Sequence, residues 1–257
     1  MDKIRTITDR HQFIIDKLNE LGKVNVQLLS EELGISEVTI RKDLKLLEDK
    51  KLLFRTHGGG TKVNPYTIDR SVSIKEQINP NEKERIALCA VKMIAQNDSV
   101  IIGSGTTTLA MAKAIQREKL LNVITSSLDI SSALSQYSMI EVLQLGGQIR
   151  PSSNSAVGPY AEQILEDISC GILFLGADGI DLEKGLTTTN LLEARLNRKM
   201  MDSAQTTVVL VDSSKFGRRG LGKICDLNQI DHIITDNGIS NMMLEALEEL
   251  GVKVTVV

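Results

Sequence analysis

The spacing of apolar residues changes near residue 82, and this change constrains the fold more than any other feature of the sequence. From Glu82 onward, short β-rich runs alternate with longer helical patterns. This alternation predicts a parallel α/β sheet, in which ligands bind in the loops beyond the carboxyl ends of the strands. Seven strands are predicted, over residues 99–102, 122–125, 141–145, 171–175, 207–211, 232–235 and 253–257.

The first part of the chain is predicted to be helical. Residues 6–51 carry apolar residues at helical spacing and show no strand pattern. Gly22 and Gly34 are expected to end the first two helices, and Ser36 to cap the third. Two extended runs within 52–63, on either side of three glycines, predict a β-hairpin. The apolar faces of the three helices are assigned to Ile14, Leu18 and Leu21, to Val26, Leu29 and Leu33, and to Ile40, Leu44 and Leu47.

The third predicted helix has two unlike faces. Its apolar stripe would anchor it, so that an arginine, two lysines and a valine would point outward. In a major groove, Arg and Lys reach guanine acceptors or phosphates, and a small apolar side chain contacts a thymine methyl. With the short turn before it, this helix fits a helix-turn-helix, and the hairpin fits a wing beside duplex DNA. The predicted DNA-binding residues are Ser36, Val38, Thr39, Arg41, Lys42, Lys45, Arg55 and His57.

Charge alone does not distinguish DNA binding from an ordinary three-helix bundle with a solvated face. Residues 1–62 hold 12 Lys and Arg against 10 Asp and Glu, a net charge of +2, which leaves −5 for the rest of the chain. A basic head on an acidic body is typical of a polyanion-binding module joined to another domain. We therefore divide the chain into a DNA-binding domain (1–62), a linker (63–81) and an α/β domain (82–257).

The turn after the first predicted strand of the α/β domain favours an anion, with phosphate as the natural occupant. The run from Gly103 to Thr108 lacks the lysine of a Walker loop and the third glycine of a dinucleotide-binding turn. Its two glycines let the backbone approach a ligand, and the next helix begins with unpaired N–H groups. A turn that only caps a helix would use the same residue types.

Polar residues follow the other strands at the same predicted edge of the sheet. Asp178 would bind sugar hydroxyls there and Lys215 would neutralise a phosphate, although each also fits a turn or a cap. Together they predict a pocket for a phosphosugar effector. The predicted effector-binding residues are Gly103, Ser104, Gly105, Thr106, Thr107, Thr108, Ser126, Ser127, Gly146, Gly147, Asp178, Gly179 and Lys215.

Several segments resemble the DeoR family of bacterial transcription regulators, and the resemblance covers nearly the whole chain. In the head, the similar segments are residues 26–44, which include Ser36-Glu37-Val38-Thr39-Ile40-Arg41-Lys42-Asp43-Leu44, and residues 55–59, Arg-Thr-His-Gly-Gly. In the body, the segments similar to the family's sensor domain are residues 145–150, 176–181, 185–188, 190–198 and 212–216.

The resemblance implies a winged helix-turn-helix domain followed by a sensor domain. The sensor would share its fold with ribose-5-phosphate isomerases, glucosamine-6-phosphate deaminases and CoA transferases. It also implies a repressor of a carbohydrate-catabolism operon, released from operator DNA by a sugar phosphate, and residues 185–198 look similar to repressors of amino-sugar and galactitol catabolism. Gly103 and the pair Ser126-Ser127 depart from the family's usual Asp and Thr-Asn, so the identity of the sugar is not carried over. Because one small head offers few base contacts, a dimer or tetramer is expected.

The alternative function is a sugar-phosphate isomerase or deaminase with an attached DNA-binding head. Asp178, Glu193 and Lys215 would then supply a base and a cation for enolisation. Against it, the three histidines lie in no catalytic motif and no metal-ligand spacing such as His-Glu-x-x-His occurs. We therefore predict no enzymatic activity, no metal and no cofactor.

The remaining sequence features indicate a cytoplasmic protein without a membrane partner. The apolar runs are far shorter than the roughly 20 residues of a membrane span, and the first residues show no secretory signal. Three widely spaced cysteines fit a reducing compartment.

Overall fold

The computed structural model describes residues 6–50, 52–56, 58–62, 71–94, 99–116 and 119–257. The chain divides into two compact units, Met1–Ile68 and Asp69–Val257. Among the described residues, no helix has the length and apolar character needed to cross a membrane.

The first unit is a small helical domain with a three-stranded sheet. Gly22 and Gly34 end the first two helices with left-handed φ values of 71° and 66°, and the Ser36 hydroxyl caps the third, as predicted. The elements are α1 (Ile7–Leu21), β1 (Lys23–Asn25), α2 (Val26–Leu33), α3 (Glu37–Asp49), β2 (Phe54–Thr56) and β3 (Gly59–Thr61).

The hydrophobic core of this unit confirms most of the predicted apolar faces. Eight of its buried side chains come from the helices and the strand between them, and Leu53 comes from the chain that follows α3. The prediction for Leu21 was wrong, because its side chain is 59% exposed. The chain turns away at Gly22 and Val24 closes the core there, so Leu21 lies beyond its end. The core consists of Ile14, Leu18, Val24, Val26, Leu29, Ile40, Leu44, Leu47 and Leu53.

Strand β1 was not expected within residues 6–51. It pairs antiparallel with β3, and β3 pairs with β2, so the predicted hairpin is widened into a sheet. The pairing brings β1 so close to Gly59 that a Cβ atom there would lie 1.8 Å from the Val24 carbonyl oxygen. This contact explains why glycine is needed at position 59 of the hairpin.

The second unit is built on a seven-stranded sheet in which every neighbouring pair is parallel. Its strand order is β15-β14-β12-β9-β4-β5-β6. The seven predicted strands are confirmed, two with the predicted bounds and five with shifts of one to three residues at an end. The strands of this sheet are β4 (Ser99–Ile102), β5 (Leu121–Thr125), β6 (Ile140–Gln144), β9 (Cys170–Leu175), β12 (Ala204–Leu210), β14 (His232–Thr235) and β15 (Lys253–Val256).

Helices cover both faces of this sheet, as the predicted α/β class requires. Alternate strand residues enter two separate cores: Leu173 points to one face, while Ile172 and Phe174 point to the other. The helices are α4 (Val72–Glu76), α5 (Pro80–Val91), α6 (Thr106–Lys113), α7 (Leu128–Leu134), α8 (Pro159–Ile164), α9 (Leu191–Asp202) and α10 (Asn241–Glu249).

Two smaller antiparallel sheets, which the sequence pattern did not predict, lie beside the main one. One is the hairpin β7 (Gln148–Arg150) and β8 (Ser155–Val157). The other has the order β10-β11-β13, with β10 at Gly179–Asp181, β11 at Gly185–Thr188 and β13 at Gly222–Cys225. These strands are three or four residues long, too short for a period of two to be recognised.

The direction of chain winding reverses between β4 and β9. From β4 the chain winds outward to β5 and β6, whereas from β9 it winds the other way through β12 and β14 to β15. The loops that follow β4 and β9 therefore separate and leave a crevice at the carboxyl edge, which is the usual ligand position in such sheets. Helix α4 and the start of α5 fall within residues 71–81, where the sequence suggested a linker; the domain bounds at 62 and 82 stay a prediction.

Candidate functional site

The outer face of α3 carries the predicted DNA-binding residues of this helix. Val38 is 61% exposed, and Arg41, Lys42 and Lys45 are exposed beside it. Because Ile40, Leu44 and Leu47 are buried on the opposite side of α3, the structure brings the three cations onto one accessible surface. Two long lysines and an arginine on such a surface suit phosphates and guanine edges.

Three of the predicted contacts already have intramolecular partners. Arg41 Nη2 lies 2.6 Å from Glu37 Oε2 one turn earlier, and both side chains are about half exposed. An exposed pair of this kind is worth roughly 0–1 kcal/mol, so DNA phosphates can replace it. Ser36 Oγ accepts from the Thr39 N–H at 3.3 Å and lies 3.0 Å from Thr39 Oγ1, so these hydroxyls serve the helix cap.

A buried ion pair fixes the position of α3, and sequence analysis missed it. Asp43 is 2% exposed and accepts from Arg10 Nε at 2.7 Å and Arg10 Nη2 at 2.9 Å. His11 Nε2 lies 3.2 Å from the same carboxylate. Hydrogen bonding to Asp43 raises the pKa of Arg10. Asp43 comes directly before Leu44, on the apolar side of a predicted amphipathic helix. A carboxylate in that position needs a buried cation, and this was the signal in the sequence.

The hairpin β2–β3, which we call the wing, is tied to the end of α3. The Arg55 backbone N–H donates to Glu48 Oε1 at 2.8 Å, which leaves the partly exposed guanidinium of Arg55 on the wing. Its predicted companion His57 lies outside the described residues.

In the second unit, a polar cavity opens at the carboxyl edge between the central strands. It is lined from the loop after β4, the loop after β9 and the loop after β12, in agreement with the reversal of winding there. Six predicted effector-binding residues line it together: Ser104, Gly105, Thr106, Thr107, Asp178 and Lys215.

Asp178 is the acidic centre of this cavity. Its Oδ2 accepts from Thr188 Oγ1 at 3.0 Å, from the Thr189 N–H at 3.1 Å and from Thr189 Oγ1 at 3.2 Å, while Lys75 Nζ lies 2.7 Å from its Oδ1. Burial alone would raise the pKa of Asp178, but the Lys75 ammonium and the other donors outweigh it and lower the pKa to about 2. Asp178 is therefore a carboxylate at neutral pH, able to accept hydrogen bonds from hydroxyls.

Glu193, at the start of α9, forms the second acidic group. Arg150 Nη1 lies 2.6 Å from its Oε2, and Ser104 Oγ donates to its Oε1 at 2.9 Å. Burial raises the pKa of Glu193, against the opposing effect of Arg150. Because Glu193 accepts the Ser104 hydroxyl, it holds the loop after β4 in place.

Lys215 provides a cation without a partner of its own. Within the described residues its ammonium forms no ion pair or hydrogen bond, although it lies in the same cavity as Asp178. Burial lowers the pKa of Lys215, while Asp178 and Asp212 act in the opposite direction. Beside it, the first turn of α6 begins at Thr106 after Gly105, whose φ of 150° favours glycine. An ammonium together with a helix N-terminus suits a phosphate group.

The other predicted effector residues lie outside the cavity lining and have structural surroundings. Thr108 Oγ1 donates to the Gly105 carbonyl, and Ser127 Oγ caps α7. Ser126 accepts from the Ala156 N–H at 2.8 Å, which attaches the β7–β8 hairpin to the sheet. The remaining positions are Gly103, buried beside Leu175; Gly146 and Gly147, exposed; and Gly179, where a Cβ atom would meet the Arg218 carbonyl oxygen.

Two lining lysines were missed: Lys75 falls in the segment interpreted as a linker, and Lys83 lies just after it. Lys75 pairs with Asp178, and Lys83 Nζ donates to the carbonyl oxygens of Lys75 and Ile78. Burial lowers the pKa of Lys83. The two lysines are eight residues apart, on either side of Pro80. This spacing gave no signal of a buried site, because lysine side chains normally lie in solvent.

The cavity combines two kinds of recognition. Lys215 and the start of α6 offer donors for an anion, and Asp178 offers an acceptor for hydroxyls. A small phosphorylated polyol carries both groups at a separation of a few bonds.

Family models match both units of the chain. A DeoR-like helix-turn-helix domain matches residues 10–65, and the DeoR C terminal sensor domain matches residues 78–237. The chain is 39% identical over 257 residues to a putative aga operon transcriptional repressor of Escherichia coli O157:H7, covering 99% of this chain and 96% of that protein. It is 35% identical to the HTH-type transcriptional regulator GlpR of Haloferax volcanii, covering 96% of each. With the glycerol-3-phosphate regulon repressor of Escherichia coli K12 it shares 29% identity, over 89% of this chain and 90% of that protein.

Solved structures give only a distant likeness. Ribose 5-phosphate isomerase A of Methanocaldococcus jannaschii is 21% identical with a TM-score of 0.41, over 54% of this chain and 55% of that one. The β subunit of eIF2B from Chaetomium thermophilum is 12% identical with a TM-score of 0.42, over 88% of this chain and 63% of that one.

Proposed function

The chain belongs to the DeoR family of transcriptional regulators, and we propose that it represses a carbohydrate operon until a sugar phosphate binds in the second unit. Family membership confirms the resemblance noted in the sequence and makes the chain a DNA-binding regulator. Relatives named as repressors of the aga operon and the glycerol-3-phosphate regulon support repression and a sugar-related signal.

One observation carries the proposal for the effector. The unpaired Lys215 ammonium and the ionised Asp178 lie in one cavity at the carboxyl edge, beside the N-terminus of α6. An anion would bind at Lys215 and Thr107, and hydroxyls would bind at Asp178. A neutral sugar would leave the Lys215 charge without a counter-ion, whereas a phosphate supplies one.

The proposed DNA contacts are the exposed side chains of α3 and the wing. Arg41, Lys42 and Lys45 would contact phosphates or guanines, and Val38 would contact a thymine methyl. Arg55 would reach the backbone or the minor groove next to them. Because one such head makes few base contacts, we propose that two copies of the chain bind repeated half-sites in the cytoplasm.

The effector proposal is tested by thermal unfolding of the full chain with ribose 5-phosphate, glucose 6-phosphate and glycerol 3-phosphate. A ligand at 100 times its Kd stabilises the folded state by about 2.7 kcal/mol. Stabilisation that disappears in Lys215→Ala and persists in Lys223→Ala, an exposed lysine paired with Asp226, supports the proposal. Equal stabilisation of both variants would remove Lys215 from the site.

Enzymatic turnover is the second candidate, since Asp178 and Lys215 are also a carboxylate and an amine in one cavity. The relatives are named as regulators, which favours binding without turnover. Incubation of ribose 5-phosphate, glucose 6-phosphate and glucosamine 6-phosphate with a stoichiometric amount of protein distinguishes the two. Isomerised product from the first two, or ammonia and a deaminated product from the third, would support the enzyme.

A further inference from the structure

A short segment of the second unit, residues 71–79, forms part of the cavity lining, and we call it the strap. It contains α4 and the turn before α5, and Val72 and Lys75 line the cavity from it. Along the chain it follows residues 63–70, which join it to the DNA-binding unit. In sequence, the strap is therefore the first described segment after the DNA-binding unit.

Among the described residues, the strap is held by a small set of polar contacts, to which the exposed Lys113–Glu76 pair also belongs. The Val72 N–H donates to the Ser152 carbonyl oxygen at 2.8 Å, and Lys83 Nζ donates to the carbonyl oxygens of Lys75 and Ile78. Asn79 Nδ2 donates to Asp212 Oδ1 at 2.9 Å. On the cavity side the tie is the ion pair between Lys75 Nζ and Asp178 Oδ1.

The donors around Asp178 fall into two groups. Its Oδ2 accepts hydrogen bonds from Thr188 and Thr189, which lie at the end of β11 and are fixed by the sheet. Its Oδ1 forms an ion pair with the ammonium of Lys75, which belongs to a helix of only five residues. A ligand hydroxyl that donates to Asp178 therefore competes with Lys75, because Lys75 is the donor that leaves with the least disturbance of the sheet.

We propose that Lys75 is a built-in competitor of the effector at Asp178, so that the hydroxyls of the effector displace the Lys75 ammonium and free the strap. This inference rests on the proposed function, since it assigns the first step of the response to the same cavity. The strap tied by Lys75 belongs to the operator-binding state. By linkage, the effector and the operator then weaken each other's binding by the same factor. A substitution that frees the strap should weaken operator binding and strengthen effector binding.

The chain offers a matched control for the Lys75 ion pair. Lys113 Nζ lies 3.2 Å from Glu76 Oε1, so it also tethers α4, but both side chains are more than half exposed and lie outside the cavity lining. Lys75→Gln removes the cavity-side tie, and Lys113→Gln removes the outer one. A comparison of the two variants separates loss of the competitor from general loosening of α4.

The first experiment measures amine acylation of the full chain by mass spectrometry. Without ligand, Lys75 is expected to react at least about tenfold more slowly than Lys113, as a charge-assisted hydrogen bond to a buried group protects it. Ribose 5-phosphate or glucose 6-phosphate should raise labelling of Lys75 and lower labelling of Lys215. Inorganic phosphate, which has no sugar hydroxyls, should protect Lys215 and leave Lys75 unchanged.

Two outcomes of the acylation experiment would overturn the inference. Protection of Lys75 by the sugar phosphates would show that Lys75 binds the effector. Release of Lys75 by inorganic phosphate alone would show that the phosphate charge, and not a hydroxyl, moves it.

The second experiment compares the two variants in binding. For Lys75→Gln we expect about tenfold tighter binding of the sugar phosphate, and about tenfold weaker binding to a DNA duplex selected in vitro with the wild-type chain. Hydrogen exchange of the strap amides should be faster in this variant, and Lys113→Gln should resemble the wild type. Weaker or unchanged sugar-phosphate binding by Lys75→Gln would overturn the inference.

The failure of the inference differs from the failure of the proposed function. If no sugar phosphate in the panel stabilises the wild type, the effector class is wrong. In that case, hydrogen exchange of the strap amides and the DNA affinity of Lys75→Gln still test the role of the strap. Wild-type values for both would refute this role.

Discussion

Removing the charge of Asp43 should loosen the recognition helix α3 from α1. Asp43→Asn leaves the Arg10 guanidinium without its carboxylate partner, although the Arg10 side chain is only 16% exposed. Breaking a buried pair by removing one partner costs about 3–5 kcal/mol. Because asparagine keeps one acceptor oxygen and Arg10 reaches some water, we expect a loss just below this range, about 2–3 kcal/mol. In a unit of this size each kcal/mol lowers the Tm by roughly 4–8 °C, so the decrease should be on the order of 10–20 °C.

Hydrogen exchange of the α1 and α3 amides, measured on the full chain, separates this effect from the stability of the second unit. Glu37→Gln is the matched control, because it removes one charge from the same helix in an exposed pair worth under about 0.5 kcal/mol. Asp43→Asn should accelerate exchange in both helices far more than Glu37→Gln. Equal protection in the two variants would refute the anchoring role of Asp43.

Three further predictions concern the two proposed sites. Arg41→Ala with Lys45→Ala should weaken DNA binding by about 1–3 kcal/mol per base contact, or reduce the salt dependence if the contacts are to phosphates. Lys199→Ala with Lys223→Ala, which removes an equal charge from the second unit, should bind as the wild type. Thr107→Ala should bind operator but resist release by sugar phosphate in a DNA titration; release at wild-type concentrations would exclude it from the site. The pKa of Asp178 is lowered from 3.8 to about 2, so its ionised form should contribute about 2 kcal/mol to the free energy of unfolding above pH 4. This contribution is lost as the pH falls toward 2, and Asp178→Asn should lack this part of the pH dependence of unfolding.

The fold followed from the sequence because its signals are local and repeated. Seven apolar runs separated by helical patterns admit few arrangements other than a parallel sheet, and glycines at 22 and 34 end helices by their backbone freedom. Strand β1 escaped prediction because three residues contain too little periodicity, and it forms through pairing with β3 from a distant part of the chain.

The cavity was predictable only in part. Loops at the carboxyl ends of parallel strands must meet at one edge, so Thr107, Asp178 and Lys215 could be grouped from topology. Lys75 enters the same cavity from the strap, and Arg150 reaches the lining residue Glu193 from a hairpin outside the main sheet. Their approach depends on tertiary packing that no spacing along the chain encodes. Gly146 and Gly147 follow a strand at the edge of the sheet, which carries them away from the crevice between β4 and β9.

The most direct test of the whole account is the reciprocity of the two proposed sites. The affinity for a selected operator duplex is measured with and without a saturating amount of the sugar phosphate that most stabilises the chain. The affinity for that sugar phosphate is then measured with and without saturating operator. The account predicts that each ligand weakens the other by the same factor, within the range of about 5–150. Operator affinity that is unaffected by a sugar phosphate bound at Lys215 would contradict it.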